Sequence, residues 1–128
     1  MLKFSFLLLL FFMSDKQQTP WKSLNLKADD NGKHYLLIKE GQITLSLKAH
    51  ISAGYSWHIF QLDSTMLKQA SEVKIISDSP KLGSPATQLF NFQAINLGET
   101  SLKLIYQRSW EKEKVPEDTF KINIEIVK

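Results

Sequence analysis

The side chains that most often carry out chemistry are sparse or unarranged in this chain of 128 residues. Cysteine is absent, which removes a thiolate nucleophile, a thiolate metal ligand and a disulfide framework together. Of the three histidines, His50 and His58 are the closest in sequence, and their spacing matches no compact zinc motif. His58 should also point away from Trp57 on an alternating strand. No Gly-x-Ser-x-Gly elbow, dinucleotide-binding glycine fingerprint or phosphate loop occurs. Asp63, Asp78 and Glu99 fall at turn-like positions, where solvated charge is the ordinary explanation. These residues predict a protein that is not an enzyme and takes no cofactor or metal.

Three connections have an unusual content instead. The first, HISAGYSW from His50 to Trp57, places three small residues, Ser52, Ala53 and Gly54, before Tyr55 and Trp57. The second, LGSPATQLF from Leu82 to Phe90, holds Gly83, Ser84, Pro85, Ala86 and Thr87; the third, YQRSW, ends on Arg108 and Trp110. Glycine permits positive φ or close approach of backbone to a partner, and Arg and Trp are enriched at binding hot spots. Recognition by loops is the chemistry these residue types favour.

Such loops need a rigid frame, and the chain has the period of one. QITLSLK puts Ile43, Leu45 and Leu47 on one face; SLKLIY does the same with Leu102, Leu104 and Tyr106, and TFKINIEIV with Phe120, Ile122, Ile124 and Ile126. LFNFQA, HYLLIK, EVKIIS and SWHIF read as further strands, and STMLKQAS as a short turn of helix. Turn signals at Asn31-Gly32, Glu40-Gly41, Ser79-Pro80, Gly83, Gly98 and Pro116 separate them. The prediction is an all-β, immunoglobulin-like antiparallel β-sandwich, with Trp57 filling the core beside Ile59. In that strand order the three connections are B–C, D–E and F–G, gathered at one end.

The N-terminus has one lysine, an apolar run from Phe4 to Met13, then Ser14 and a polar stretch. This is the order of a secretory signal peptide, and the run is about half the roughly 20 residues a spanning helix needs. The predicted organisation is a signal peptide at 1–14, a polar arm at 15–32 and one sandwich domain at 33–128, exported to a periplasm or secreted, with no membrane association in the mature form. A formal charge of +3 is spread over scattered lysines without a basic run, so nucleic acid is not an expected partner.

Taken in order, the three loops resemble the signature of the chagasin-like inhibitors of papain-type cysteine peptidases. That signature is an Asn-Pro-Thr-Thr-Gly-(Tyr/Phe)-x-Trp loop, a Gly-x-(Gly/Pro)-Gly-Thr loop leading to an aromatic strand, and an Arg-Pro-Trp loop. Gly54, Tyr55 and Trp57 match the first; Gly83, Pro85, Thr87 and Phe90 the second; Arg108 and Trp110 the third. His50-Ile51 replaces Asn-Pro, Ser52-Ala53 replaces Thr-Thr, Ala86 replaces a common glycine and Ser109 a proline. The resemblance implies a monomeric, reversible, competitive inhibitor of a papain-like (C1 family) cysteine peptidase. It implies that Ser52, Ala53 and Gly54 meet the catalytic centre with Tyr55 supporting them, that Gly83 to Thr87 line the non-primed side, and that Arg108 and Trp110 cover the primed side. A non-catalytic adhesion or carbohydrate-binding module, stacking a ligand on Trp110 and Tyr55, is the competing class.

Overall fold

A computed structural model describes residues 19–128. The segment read as a signal peptide, residues 1–14, and the first residues of the arm lie outside that range. Eight strands form in chain order: β1 (Trp21–Leu26), β2 (His34–Ala49), β3 (Tyr55–Gln61), β4 (Leu67–Gln69), β5 (Lys74–Ser77), β6 (Ala86–Ala94), β7 (Gly98–Arg108) and β8 (Asp118–Val127). Short 3₁₀ turns occur at Ala28–Asp30 and Ile51–Ala53, and among the described residues there is no α-helix.

Hydrogen-bonded neighbours follow the path β3-β7-β8-β2-β6-β4, with β1 joined to β2 and β5 to β6. This path folds into two layers because β2 belongs to both. Its first part, His34–Ile38, runs parallel to β8; its second part, Gln42–Ala49, runs antiparallel to β6 and pairs with β1 on the other side. The switch falls at Glu40-Gly41. Glu40 takes a positive φ of 71°, and a Cβ on Gly41 would lie 2.7 Å from the Ile38 carbonyl oxygen, so only glycine fits the bend. The turn expected there from sequence is thus a kink within one 16-residue strand.

Period-two patterning does the rest. Phe90, Phe92 and Ala94 of β6, Leu102 and Leu104 of β7, and Phe120, Ile122, Ile124 and Ile126 of β8 are all buried and form one core with Ile43, Leu45 and Leu47 of β2. Two expectations are corrected. The polar arm contains β1, whose Leu24 and Leu26 are buried against β2, so this stretch is part of the core. The stretch STMLKQAS forms a turn at Asp63–Met66 and the strand β4, because Leu67 is pulled into the core and its neighbours pair with β6.

Trp57 is buried, as its place in the sequence predicts, and it is also bonded across the sandwich. Its indole N–H donates to the Lys48 carbonyl at 2.9 Å. Its backbone N–H donates to Gln88 Oε1 at 2.7 Å, and Gln88 Nε2 donates back to the Trp57 carbonyl at 3.3 Å. Gln88 is the sole buried polar residue among the described residues, and its amide acts as a strand partner for β3 from the opposite layer. Replacing Trp57 with Ala should cost about 3–5 kcal/mol of folding stability through the cavity it leaves. Gln88→Ala should cost about 2 kcal/mol by orphaning two buried backbone groups. Chemical denaturation of both variants measures this, and an unchanged midpoint for Gln88→Ala would show that the cross-layer bond contributes nothing.

Candidate functional site

The end of the sandwich where β2 runs into β3 carries all three connections. In the first loop, His50 leads into the 3₁₀ turn Ile51–Ala53, with the Ala53 and Tyr55 N–H groups both donating to the His50 carbonyl, at 3.1 and 3.2 Å. Gly54 then takes the left-handed conformation, φ 88° and ψ 1°, returning the chain to β3. Ser52 and Ala53 are exposed at the tip. A thin, small-residue turn is what the sequence predicts here, and the backbone bonds give it one shape.

The third loop holds the first from the side. Arg108 Nε donates to the Ala53 carbonyl at 3.1 Å, and its guanidinium lies 4.4 Å from the Tyr55 ring centre and 5.8 Å from that of Trp110. Trp110 remains 69% exposed, yet its indole lies against the Gly54 Cα; any Cβ added there would be driven into the ring. Beneath them Tyr106 stacks on Tyr55 at 5.3 Å, and its hydroxyl oxygen accepts from the His50 N–H at 2.9 Å. The Arg108 guanidinium donates from Nη1 to Glu111 at 3.2 Å, and Lys114 pairs with the same carboxylate at 3.2 Å. Hydrogen bonds from Lys114 and then Arg108 hold the Glu111 carboxyl below its ordinary value of 4.5.

The second loop is tied to the first by charge. Lys48, at the end of β2, donates to Asp78 at 2.6 Å; Thr87 donates to the other oxygen of Asp78 at 2.8 Å. Gly83 has φ 80° with open space around it, and Leu82 beside it is fully exposed. Ser84 and Pro85 are half-buried on the loop's return. Ala86 is buried and opens β6 opposite Ala49, so it anchors the loop's root. Thr87 likewise belongs to β6 and spends its hydroxyl on Asp78.

A family model, Chagasin family peptidase inhibitor I42, matches residues 37–124, a span that includes all three loops. The chain belongs to the chagasin family of peptidase inhibitors. Amoebiasin-2 of Entamoeba histolytica is 32% identical over 75 residues, a stretch covering 58% of this chain and 61% of that relative. The crystal structure of the cysteine protease inhibitor EhICP2 from Entamoeba histolytica superposes with a TM-score of 0.75 at 22% identity, over 85% of this chain and all of the other. The structure of PbICP-C in complex with falcipain-2 gives 0.54 at 12% identity, over 86% and 95%. These likenesses establish the immunoglobulin-like sandwich.

Sequence reading found Gly54, Arg108 and Trp110 but not what they do to each other. Tyr106, Glu111 and the Lys48–Asp78 pair were missed as supports, since strand alternation marks Tyr106 only as inward-facing and no local pattern links residues 48 and 78.

Two outcomes follow from this clasp. Gly54→Ala should destabilise the first loop twice over, through positive φ and through collision with Trp110, which the backbone amide shifts of residues 50–55 would register. Acidification should release Arg108 from Glu111. Because the carboxyl is held low, the ion-paired form should be intact above the ordinary glutamate range and be lost only as pH falls through the lowered value. Following the Trp110 indole resonance from pH 7 to pH 3 tests this; a shift centred above 4.5 would contradict the assignment.

Proposed function

We propose that this protein is a reversible, competitive inhibitor of papain-like cysteine peptidases, acting as a monomer and blocking the active-site cleft with three loops. The observation that carries this reading is the Ser52-Ala53-Gly54 tip, narrow and clasped in one conformation by Arg108 and Trp110. A groove that holds a Cys–His pair is obstructed by a thin turn that presents no scissile carbonyl in line for attack, and a turn stabilised beforehand loses little conformational freedom on binding. The prolines that stiffen the family's first and third loops are absent, and the Arg108 contacts to Ala53, Tyr55 and Glu111 supply that stiffness by other means. Tyr55 is a support beneath the guanidinium, while Gly83 to Thr87 form a flanking contact on the non-primed side through their backbone.

The Trp110 indole supports the inhibitory reading over a carbohydrate platform, since one part of it is already occupied by Gly54 and Arg108. Export, with a periplasmic or secreted location, belongs to the same proposal and rests on the apolar run of residues 4–13.

Titration of active papain with the purified protein should give stoichiometric, reversible loss of activity with the inhibitor recovered intact. Accumulation of a cleaved fragment in step with recovery of activity would make the protein a substrate. Trp110→Ala should leave the melting temperature within a few degrees and weaken inhibition by about 2 kcal/mol or more, the scale of a hot-spot aromatic. Ser109→Pro should leave inhibition unchanged or tighten it by up to about 1 kcal/mol through loop stiffening.

A further inference from the structure

The outer face of the β3–β7–β8 layer carries a groove of about 560 Å3 that runs up to the third loop, whose Ser109 lines it. Its floor is apolar: Ile105 of β7, on the face opposite Leu104 and only 9% exposed, lies beside Phe60 of β3, which is 63% exposed. Pro116 and the stems of Lys112 and Lys114, from the loop after β7, form a wall. Aromatic side chains on a sheet face need covering, and among the described residues Phe60 stays exposed although the Lys103 ammonium lies 5.2 Å from its ring centre.

Charge on this face is unbalanced in a particular way. Lys103 stands directly opposite Lys121 of β8, and both side chains point to the same surface. Like charges at directly opposed positions destabilise a sheet, and neither lysine forms a salt bridge among the described residues. Lys112 at the other end is also outside those salt bridges, while Lys114 shares Glu111 with Arg108. No carboxylate lines the groove. Lys103 and Gln107 both line the groove and are four residues apart on β7, so the groove follows about 13 Å of that strand at roughly 3.3 Å per residue, and the loop that carries Lys112 begins just beyond Gln107.

An extended peptide has the same rise. In such a peptide residues i, i+2 and i+4 share one face, so the pattern acid-x-apolar-x-acid sets two carboxylates about 13 Å apart with an apolar side chain midway. We propose that this groove is a second docking site, for an extended segment of a protein partner with that pattern. The central side chain packs on Phe60 and Ile105, one carboxylate sits between Lys103 and Lys121, and the other meets Lys112. A single-headed amphiphile satisfies one end only, which is why the two-ended arrangement favours a peptide. One wall of the site belongs to the β7–β8 connection that also carries Arg108 and Trp110, so peptide binding and papain inhibition are read separately and a failure of either reading leaves the other standing.

The probe is the capped pentapeptide acetyl-Asp-Ser-Phe-Ser-Asp-amide, titrated to millimolar concentration into the isotope-labelled protein while amide shifts are followed. The expected result is a saturable shift at His58, Phe60, Lys103, Ile105 and Gln107. It should weaken as salt rises and be absent with the peptide in which both Asp are replaced by Lys. K103E and K112E should each weaken peptide binding about tenfold, and F60S comparably, while papain inhibition by K103E and F60S and the melting temperature of all three stay near those of the parent. No shift at millimolar peptide, equal shifts from the lysine-flanked peptide, or shifts confined to the loop edge would each overturn the proposal.

Discussion

The two hydrogen bonds between the Gln88 side chain and the Trp57 backbone connect the layers at the point where recognition begins. Trp57 lies two residues after Tyr55 and three after Gly54, so fixing it fixes where the first loop ends. A buried amide with both ends satisfied in a low-dielectric core is worth more than its area suggests, because any misplacement leaves two backbone groups and the amide unpaired together. The Trp57 indole N–H adds a third bond, to Lys48, and the Lys48 side chain in turn reaches Asp78 at the second loop. From one core residue the restraint passes to two loops, and Tyr106 and Arg108 carry it to the third.

The loops themselves divide work between rigidity and exposure. Arg108 spends its guanidinium within the molecule: on a carbonyl, on a carboxylate and on two aromatic faces. A residue so engaged holds Ala53 and Trp110 in place, which preorganises the loop edge. Leu82 and Gly83, by contrast, stand free of any neighbour, so adaptability at this edge is concentrated in the second loop.

Much of the frame was legible in the sequence because half-buried strands announce themselves by alternation, and the second half of β2, β6 and β8 alternate without interruption. What escaped reading did so for physical reasons. β1 is short, and its buried pair Leu24 and Leu26 is flanked by charged and polar residues whose alternation spans too few positions to stand out. β4 has a single buried residue, Leu67, and gains its extended form from β6 alone, a tertiary effect invisible locally. In the site, residue types and order pointed to the three loops, but the contact between Gly54 and Trp110 joins positions 56 apart through folding. Ala86 reads as a loop residue because its neighbours do, and only the pairing with Ala49 reveals that the strand has already started.

The kink at Glu40-Gly41 has a consequence for how the molecule comes apart. A sandwich whose layers meet only through side chains can lose one sheet while the other persists, but here a single unbroken strand is hydrogen-bonded into both. Loosening β8 from the first half of β2 strips the neighbour from the same backbone that supports β6 and β1. Amide protons in the two layers should therefore exchange with solvent through one shared opening event, and the molecule behaves as one foldon.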